Sequence, residues 1–112
     1  MKPSENEKKL RINYGRCTRL EKEIASYVKE RETELAKLSE MKKNNADAYD
    51  VKQMEEVVKQ TERMIPLVEK EYDKALNDLY DLVDSMDGDE PVTRSEQWKV
   101  VQEYLKNKEE QS

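Results

Sequence analysis

The chain has 112 residues, of which 42% are charged and 35% hydrophobic, so it has material for one small domain. Two glycines are too few for the turns of a strand-rich fold, and the absence of histidine removes the usual ligand set of a zinc site. The net charge of −5 is small and the apolar residues are regularly spaced, which favours an ordered chain over a disordered one.

Helix one is predicted over residues 7–43. Its apolar positions recur at helical spacing, although Glu21 and Arg31 fall on or beside the stripe, where their stems can cover apolar surface. Two lysines followed by Asn44 and Asn45 indicate the end of the helix, because asparagine tolerates the left-handed conformation. The stripe consists of Leu10, Tyr14, Cys17, Leu20, Ile24, Val28, Leu35 and Leu38.

Helix two is predicted over residues 48–86, with Asp50 as N-cap, Gln53 as its capping-box partner, and Tyr49 and Met54 as a hydrophobic staple. Gly88 and Pro91 mark its end. Eleven positions, stepped by three and four residues, form a seam that another helix must cover. They are Val51, Met54, Val58, Thr61, Ile65, Val68, Tyr72, Ala75, Leu79, Leu82 and Met86.

Pro66 interrupts this seam. A proline in a helix interior removes one backbone donor and crowds the carbonyl four residues earlier, at a cost of roughly 3 kcal/mol. Because Pro66 is offset by one position from Ile65, its ring is expected to lie toward solvent. We expect a kink or a broken hydrogen bond near residues 62–66, and not a loop.

Helix three is predicted over residues 93–109, with Thr93 as N-cap, Glu96 as its capping-box partner and Trp98 as the anchor to the other helices. Residues 1–6 and 109–112 are polar and are predicted to be frayed. A third helix explains the second apolar set of helix two, because two partners need a wider stripe. This set is Val57, Met64, Leu76 and Val83.

The prediction is therefore an all-α fold in which residues 1–112 form a single domain, an elongated antiparallel three-helix bundle with a kink at Pro66. Residues 1–43 contain twelve basic and eight acidic residues, whereas residues 44–90 contain five and fourteen. Opposite charge favours side-by-side packing of these segments, although exposed pairs contribute only about 0 to 1 kcal/mol each. Helices of this length would span roughly 50 Å.

Several classes of function are disfavoured by the sequence. It has no histidine to act as a base, no glycine-rich loop for phosphate and no signal or membrane span, which predicts a non-catalytic cytosolic protein. Carboxylate pairs such as Glu55 and Glu56 read as a solvated face rather than a metal site. Cys17 reads as a small core residue, and the acidic chain is a poor match for nucleic acid.

Two short segments carry a family resemblance: Tyr49-Asp50-Val51-Lys52-Gln53 at the head of helix two and Arg63-Met64-Ile65-Pro66 inside it. With Leu10-Arg11-Ile12 and Gln97-Trp98-Lys99, they make the chain resemble tubulin-binding cofactor A, also called tubulin-specific chaperone A. The resemblance implies a three-helix bundle that captures beta-tubulin released from the cytosolic chaperonin and holds it for assembly with alpha-tubulin. It also implies surface binding without nucleotide or another cofactor.

The partner is expected to be beta-tubulin, with other tubulin-folding cofactors as further candidates, in the cytoplasm and in association with the cytoskeleton. The basic strip of helix one suits an acidic partner, and Pro66 shapes the outer face. The candidate contact residues are Arg16, Arg19, Lys22, Tyr49, Asp50, Lys52, Arg63 and Pro66. A coiled-coil scaffold that self-associates through the seam is the alternative, and the pattern fits a monomer as well as a homodimer.

Overall fold

A computed structural model describes residues 4–111. They form four α-helices and no strand: α1 (Glu5–Lys43), α2 (Ala48–Ser85), α3 (Glu90–Thr93) and α4 (Glu96–Gln111). The all-α prediction is confirmed, but the count of three helices is wrong because the segment read as a loop contains the one-turn helix α3. Pro91 in its first turn supplies a helical φ where no backbone donor is needed.

Helix α1 begins at Glu5, two residues before the predicted start. The Ser4 hydroxyl accepts the backbone N–H of Glu7 at 3.2 Å, which caps the first turn. Helix α4 extends to Gln111. The frayed ends predicted for residues 5, 6 and 109–111 are therefore helical, while residues 1–3 and 112 lie outside the described residues.

Helix α2 begins at Ala48, so the prediction of Asp50 as N-cap is wrong: Asp50 lies in the first helical turn. The Val51 N–H donates to the carbonyl of Asp47 at 3.0 Å. Aspartate is a favourable N-cap residue, so Asp47 fits that position as well as Asp50 does. With the helix beginning at Ala48, Asp50 lies in the first turn, where the helix dipole favours negative charge.

Both predicted helix stops are confirmed. Asn45 has a φ of 57° after α1, and Gly88 has a φ of 88° after α2, so each adopts the left-handed conformation that ends a helix. Helix α2 itself ends at Ser85, one residue before the predicted boundary. It continues through Pro66 without a loop, and Pro66 is exposed, as expected.

Contacts divide the chain into two compact units. The first unit contains the residues up to Arg19 together with those from Asp73 onward. The second unit comprises Leu20–Tyr72. In the second unit α1 and α2 run antiparallel, since Lys42 lies 3.8 Å from Glu55 and the Tyr72 hydroxyl donates to Glu21 at 2.7 Å. Its buried residues are Leu20, Leu38, Val58, Thr61, Ile65 and Val68.

The first unit contains α3 and α4 together with the start of α1 and the end of α2. Val92 on α3 is fully buried, whereas Trp98, the predicted anchor of the last helix, is only half-buried. The predicted N-cap Thr93 is also wrong, because Ser95 accepts the Trp98 backbone N–H at 3.1 Å. The buried residues here are Leu10, Cys17, Ala75, Leu79, Met86, Val92, Val101 and Leu105.

The seam of α2 is confirmed as its buried side. Each of its eleven positions is buried or half-buried, and the one polar member, Thr61, donates its hydroxyl to the carbonyl of Val57 at 3.3 Å. Helix packing along this seam supplies the apolar burial of both units.

Candidate partner-binding surface

The basic candidates on α1 have different surroundings. Arg16 is half-buried, and its guanidinium donates to a carboxylate oxygen of Asp78 at 3.0 Å, so much of its charge is already compensated. Arg19 and Lys22 are exposed. Arg16 and Arg19 belong to the first unit and Lys22 to the second. Of these three residues, Arg19 and Lys22 are the ones whose charge is open to a partner.

The candidates on α2 fall into two groups within the second unit. Tyr49, Asp50 and Lys52 lie exposed in the first two turns, and the Tyr49 side chain is 66% exposed. Arg63 and Pro66 lie exposed near the middle of the helix. Lys52 and Arg63 are separated by eleven residues, or about 16 Å along a helix. The structure therefore places the two groups on one helix but not at one point.

Besides Tyr49, four large apolar side chains of the second unit are exposed. Leu35, predicted to lie on the apolar stripe of helix one, is 43% exposed, which corrects that prediction. Val57 and Met64, predicted to be covered as part of the wider apolar stripe, are 40% and 38% exposed, which corrects that prediction. Leu67, which the sequence did not single out, is 58% exposed. In this unit only α1 packs against α2, so nothing here covers the edge of the stripe.

The arrangement of basic residues on α2 was not predicted from the sequence. Lys52, Lys59, Arg63 and Lys70 are all exposed, at successive spacings of seven, four and seven residues. At about 100° per residue, these side chains fall within an arc of about 40°. We call these four residues the basic stripe. The spacing of these residues in the sequence is sufficient to predict the stripe. It was not predicted because residues 44–90 were considered only by their net charge, which is negative.

Aromatic residues form a separate feature of the first unit. The rings of Tyr14 and Tyr104 meet edge to face with centroids 5.3 Å apart, and the Lys108 ammonium lies 5.1 Å from the Tyr104 ring. Such pairs stabilise helix contacts by about 1 kcal/mol beyond the area they bury. The Tyr14–Tyr104 pair joins α4 to α1, whereas the contact between Lys108 and Tyr104 lies within α4.

The phenol of Tyr80 has a raised pKa. Its hydroxyl lies 3.5 Å from the carbonyl of Leu105 and 3.5 Å from a carboxylate oxygen of Glu109. Burial raises its pKa above the usual 10.0, and the charge and hydrogen bond of Glu109 raise it further. Tyr80 therefore stays protonated to a higher pH than an exposed tyrosine does.

Within residues 4–111, no three acidic or thiol side chains are grouped closely enough to hold a metal ion. Cys17 is fully buried in the first unit, as its place on the stripe predicted. The helices of the described chain also lack a stretch long and apolar enough to span a membrane. The exposed chemistry of this part of the chain consists of charged and apolar side chains on helices.

Comparison with known proteins identifies the family. The family described as Tubulin binding cofactor A matches residues 5–110. This chain belongs to that family. The crystal structure of tubulin folding cofactor A from Arabidopsis thaliana superposes with a TM-score of 0.80 at 32% identity, covering 94% of this chain and 96% of the other.

Two curated relatives agree with this assignment. Tubulin-folding cofactor A of Arabidopsis thaliana is 46% identical over 70 residues, a match that spans 62% of each protein. Tubulin-specific chaperone A of Mus musculus is 26% identical over 99 residues, which cover 88% of this chain and 92% of the mouse protein. The resemblance seen in the sequence is thus confirmed at the level of the family.

Proposed function

We propose that this protein is a tubulin-folding chaperone that captures beta-tubulin released from the cytosolic chaperonin and holds it for assembly into alpha/beta-tubulin dimers. The observation that carries the proposal is the family match over residues 5–110. The names of the Arabidopsis and mouse relatives, a tubulin-folding cofactor and a tubulin-specific chaperone, point the same way. On the same grounds we propose that the protein acts in the cytoplasm, in association with the cytoskeleton and with other tubulin-folding cofactors.

The proposed mode of action is binding without catalysis. Long helices present charged side chains at fixed positions, so a client can be held by many individually weak contacts rather than in one pocket. Such contacts suit a chaperone because the client has to be released again. The proposed contact residues are Arg16, Arg19, Lys22, Tyr49, Asp50, Lys52, Arg63 and Pro66. Among them, Arg16 is also paired with Asp78 within the chain.

Capture of beta-tubulin from a chaperonin release reaction, followed on a native gel, tests the function. We expect the wild-type protein to form a discrete complex with beta-tubulin, and to form none with a chaperonin-released protein such as actin. If no complex with beta-tubulin forms under conditions in which the Arabidopsis cofactor A captures it, the proposal is wrong.

Charge reversal then tests the candidates on α1. Arg19→Glu and Lys22→Glu should weaken capture, more at low salt than at high salt, because exposed charges are screened within about 10 Å at 0.1 M ionic strength. Unchanged capture would remove α1 from the interface. Arg16→Glu is a different test, since it breaks the pair with Asp78 and so reports on stability as well.

The alternative function, a scaffold that self-associates, predicts a different result in solution. Because the seam is buried or half-buried within the chain, self-association would use the exposed side chains of Val57, Met64 and Leu67 instead, and these are the observation that favours it. Light scattering separates the two functions: a mass independent of concentration supports the chaperone, and an extended oligomer whose mass grows with concentration supports the scaffold.

A further inference from the structure

Between residues 52 and 70 of α2, three of the four glutamates lie off the line of the basic residues, and the fourth, Glu56, lies beside that line. The basic stripe lies on the side of the helix away from the buried seam, and its four members are exposed. Three glutamates, Glu55, Glu62 and Glu69, follow one another at spacings of seven and so share a different line, about 60° to 100° away from the stripe. One of them, Glu55, lies 3.8 Å from Lys42 on α1.

Within residues 4–111, most of the stripe has no internal ion-pair partner. The ammonium of Lys59 lies 3.5 Å from Glu56, and this is the single ion pair formed by the stripe. Lys52, Arg63 and Lys70 form none there. A local surplus of positive charge therefore faces outward on a helix whose total charge is negative.

An exposed apolar side chain borders the basic stripe. Leu67, 58% exposed, is four residues after Arg63 and three before Lys70, so it adjoins both on the helix surface. Met64 adjoins Leu67 at a spacing of three, and Val57 continues the apolar line seven residues earlier. Gln53 lies four residues before Val57, and Gln60 lies between Val57 and Met64. The line of side chains from Gln53 to Leu67 therefore carries no charge.

Each feature taken alone is ordinary. Single exposed leucines are common on protein surfaces, and the outer face of an amphipathic helix is expected to be charged. The combination is less ordinary: Leu67 has the cations Arg63 and Lys70 on one side and Met64 and Glu71 on the other, so one partner surface can bury apolar area and pair its carboxylates at the same place.

We infer that the outer face of α2 from Lys52 to Lys70 binds an acidic protein surface that presents apolar side chains. Charge complementarity selects the partner: cations of the stripe pair with its carboxylates, and Leu67 and Met64 pack against its apolar groups. The inference rests on the proposed function, because beta-tubulin is then the protein that supplies this surface. The principal contact would then lie on α2, and not on the basic candidates Arg16, Arg19 and Lys22 of α1.

The test compares two double variants that change the net charge equally. Arg63→Glu with Lys70→Glu reverses the stripe, and Lys29→Glu with Lys37→Glu reverses two exposed lysines on α1 in the same unit. We expect the stripe variant to bind beta-tubulin about tenfold or more weakly and the control variant to stay within about twofold of wild type. Circular dichroism melts verify that both variants remain folded.

The apolar part is tested in the same assay. Leu67→Gln should weaken binding about fivefold, whereas Ile12→Gln, at a position 65% exposed in the first unit, should have no effect. If the Arg63/Lys70 variant and its control bind equally, the inference is wrong although the function stands. If wild type fails to capture beta-tubulin, the function fails, and the inference fails with it.

Two further probes address other occupants. Wild type is titrated with a structured RNA and with vesicles that contain phosphatidylserine, since a basic stripe can attract any polyanion. Stripe-dependent binding to either probe as tight as that to beta-tubulin would overturn the choice of an acidic protein. Loss of a wild-type dimer in the Leu67→Gln variant, seen by light scattering, would assign the face to a second copy of the chain and overturn the inference as well.

Discussion

Substitution of Pro66 by alanine should stabilise the protein. The ring lies in the interior of α2, far from either end, and is exposed, so its removal sacrifices little packing. Alanine restores a backbone N–H that can donate to the carbonyl of Glu62, and it relieves the contact between that carbonyl and the proline ring. Both changes act on the folded state alone.

The expected gain follows from two opposing terms. The difference between proline and alanine in a helix interior is about 3 kcal/mol in favour of alanine. Alanine also gives the unfolded chain more conformational freedom, which lowers the free energy of unfolding by about 0.4 to 1 kcal/mol. The net prediction is a free energy of unfolding that is about 2 kcal/mol higher than that of wild type.

Urea unfolding followed by circular dichroism at 222 nm measures this difference, with the slope of the transition as a check that both proteins expose the same surface. Gln60→Ala is the matched control, because Gln60 is exposed on the same helix and differs from alanine by only a few tenths of a kcal/mol in propensity. Equal or lower stability of Pro66→Ala, with Gln60→Ala unchanged, would refute the reasoning.

Three further changes test the fold. Leu79→Ala, at a fully buried position, should lower the free energy of unfolding by about 2 to 5 kcal/mol in the same urea assay, and a loss below 1 kcal/mol would contradict its place in the core. Ser95→Ala should cost about 1 kcal/mol and Thr93→Ala much less, because Ser95 caps α4; the reverse order in thermal melts would restore Thr93 as the cap. The raised pKa of Tyr80 means that the folded state holds the phenolic proton more tightly than the unfolded state does. Its contribution to stability is therefore complete below pH 10.0 and lost as the pH rises through the folded pKa. Glu109→Gln should lower the Tyr80 pKa in an NMR titration of labelled tyrosine, and no change would show that Glu109 does not act on it.

The buried side of α2 could be predicted from the sequence because it rests on periodicity. A spacing of three and four residues sustained over eleven positions fixes one helix face, whatever the partner is. Helix stops could be predicted for a similar reason: Asn45 and Gly88 tolerate a backbone conformation that most residues avoid. These features depend on local physics.

Helix starts were harder to predict because several residues of suitable type stand close together. Asp47 and Asp50 are both good N-caps, as are Thr93 and Ser95, and local sequence does not rank them. In the second case packing decides. Burial of Val92 fixes the one-turn helix α3, which ends at Thr93 and leaves Ser95 as the residue that caps α4.

The extent of the covered surface could not be predicted either. A wide apolar stripe on α2 indicates two partner helices, yet Val57 and Met64 are exposed because the unit Leu20–Tyr72 contains only α1 beside α2. A periodic pattern tells which residues would benefit from burial, and not whether a partner is present along the whole helix. Exposed members of such a pattern are where a binding surface is to be sought.

Pro66 weakens α2 next to Leu67, on the exposed face that carries the basic stripe. A sequence tends to break a local rule at a functional position, where the loss of stability has a compensating gain. If the carbonyl of Glu62, which has no N–H donor at Pro66, or the kink expected at Pro66 shapes the outer face, the Pro66→Ala variant will bind beta-tubulin more weakly while unfolding at higher urea. If it binds as wild type does, the proline affects stability alone, and the contacts of Arg63, Leu67 and Lys70 do not depend on it.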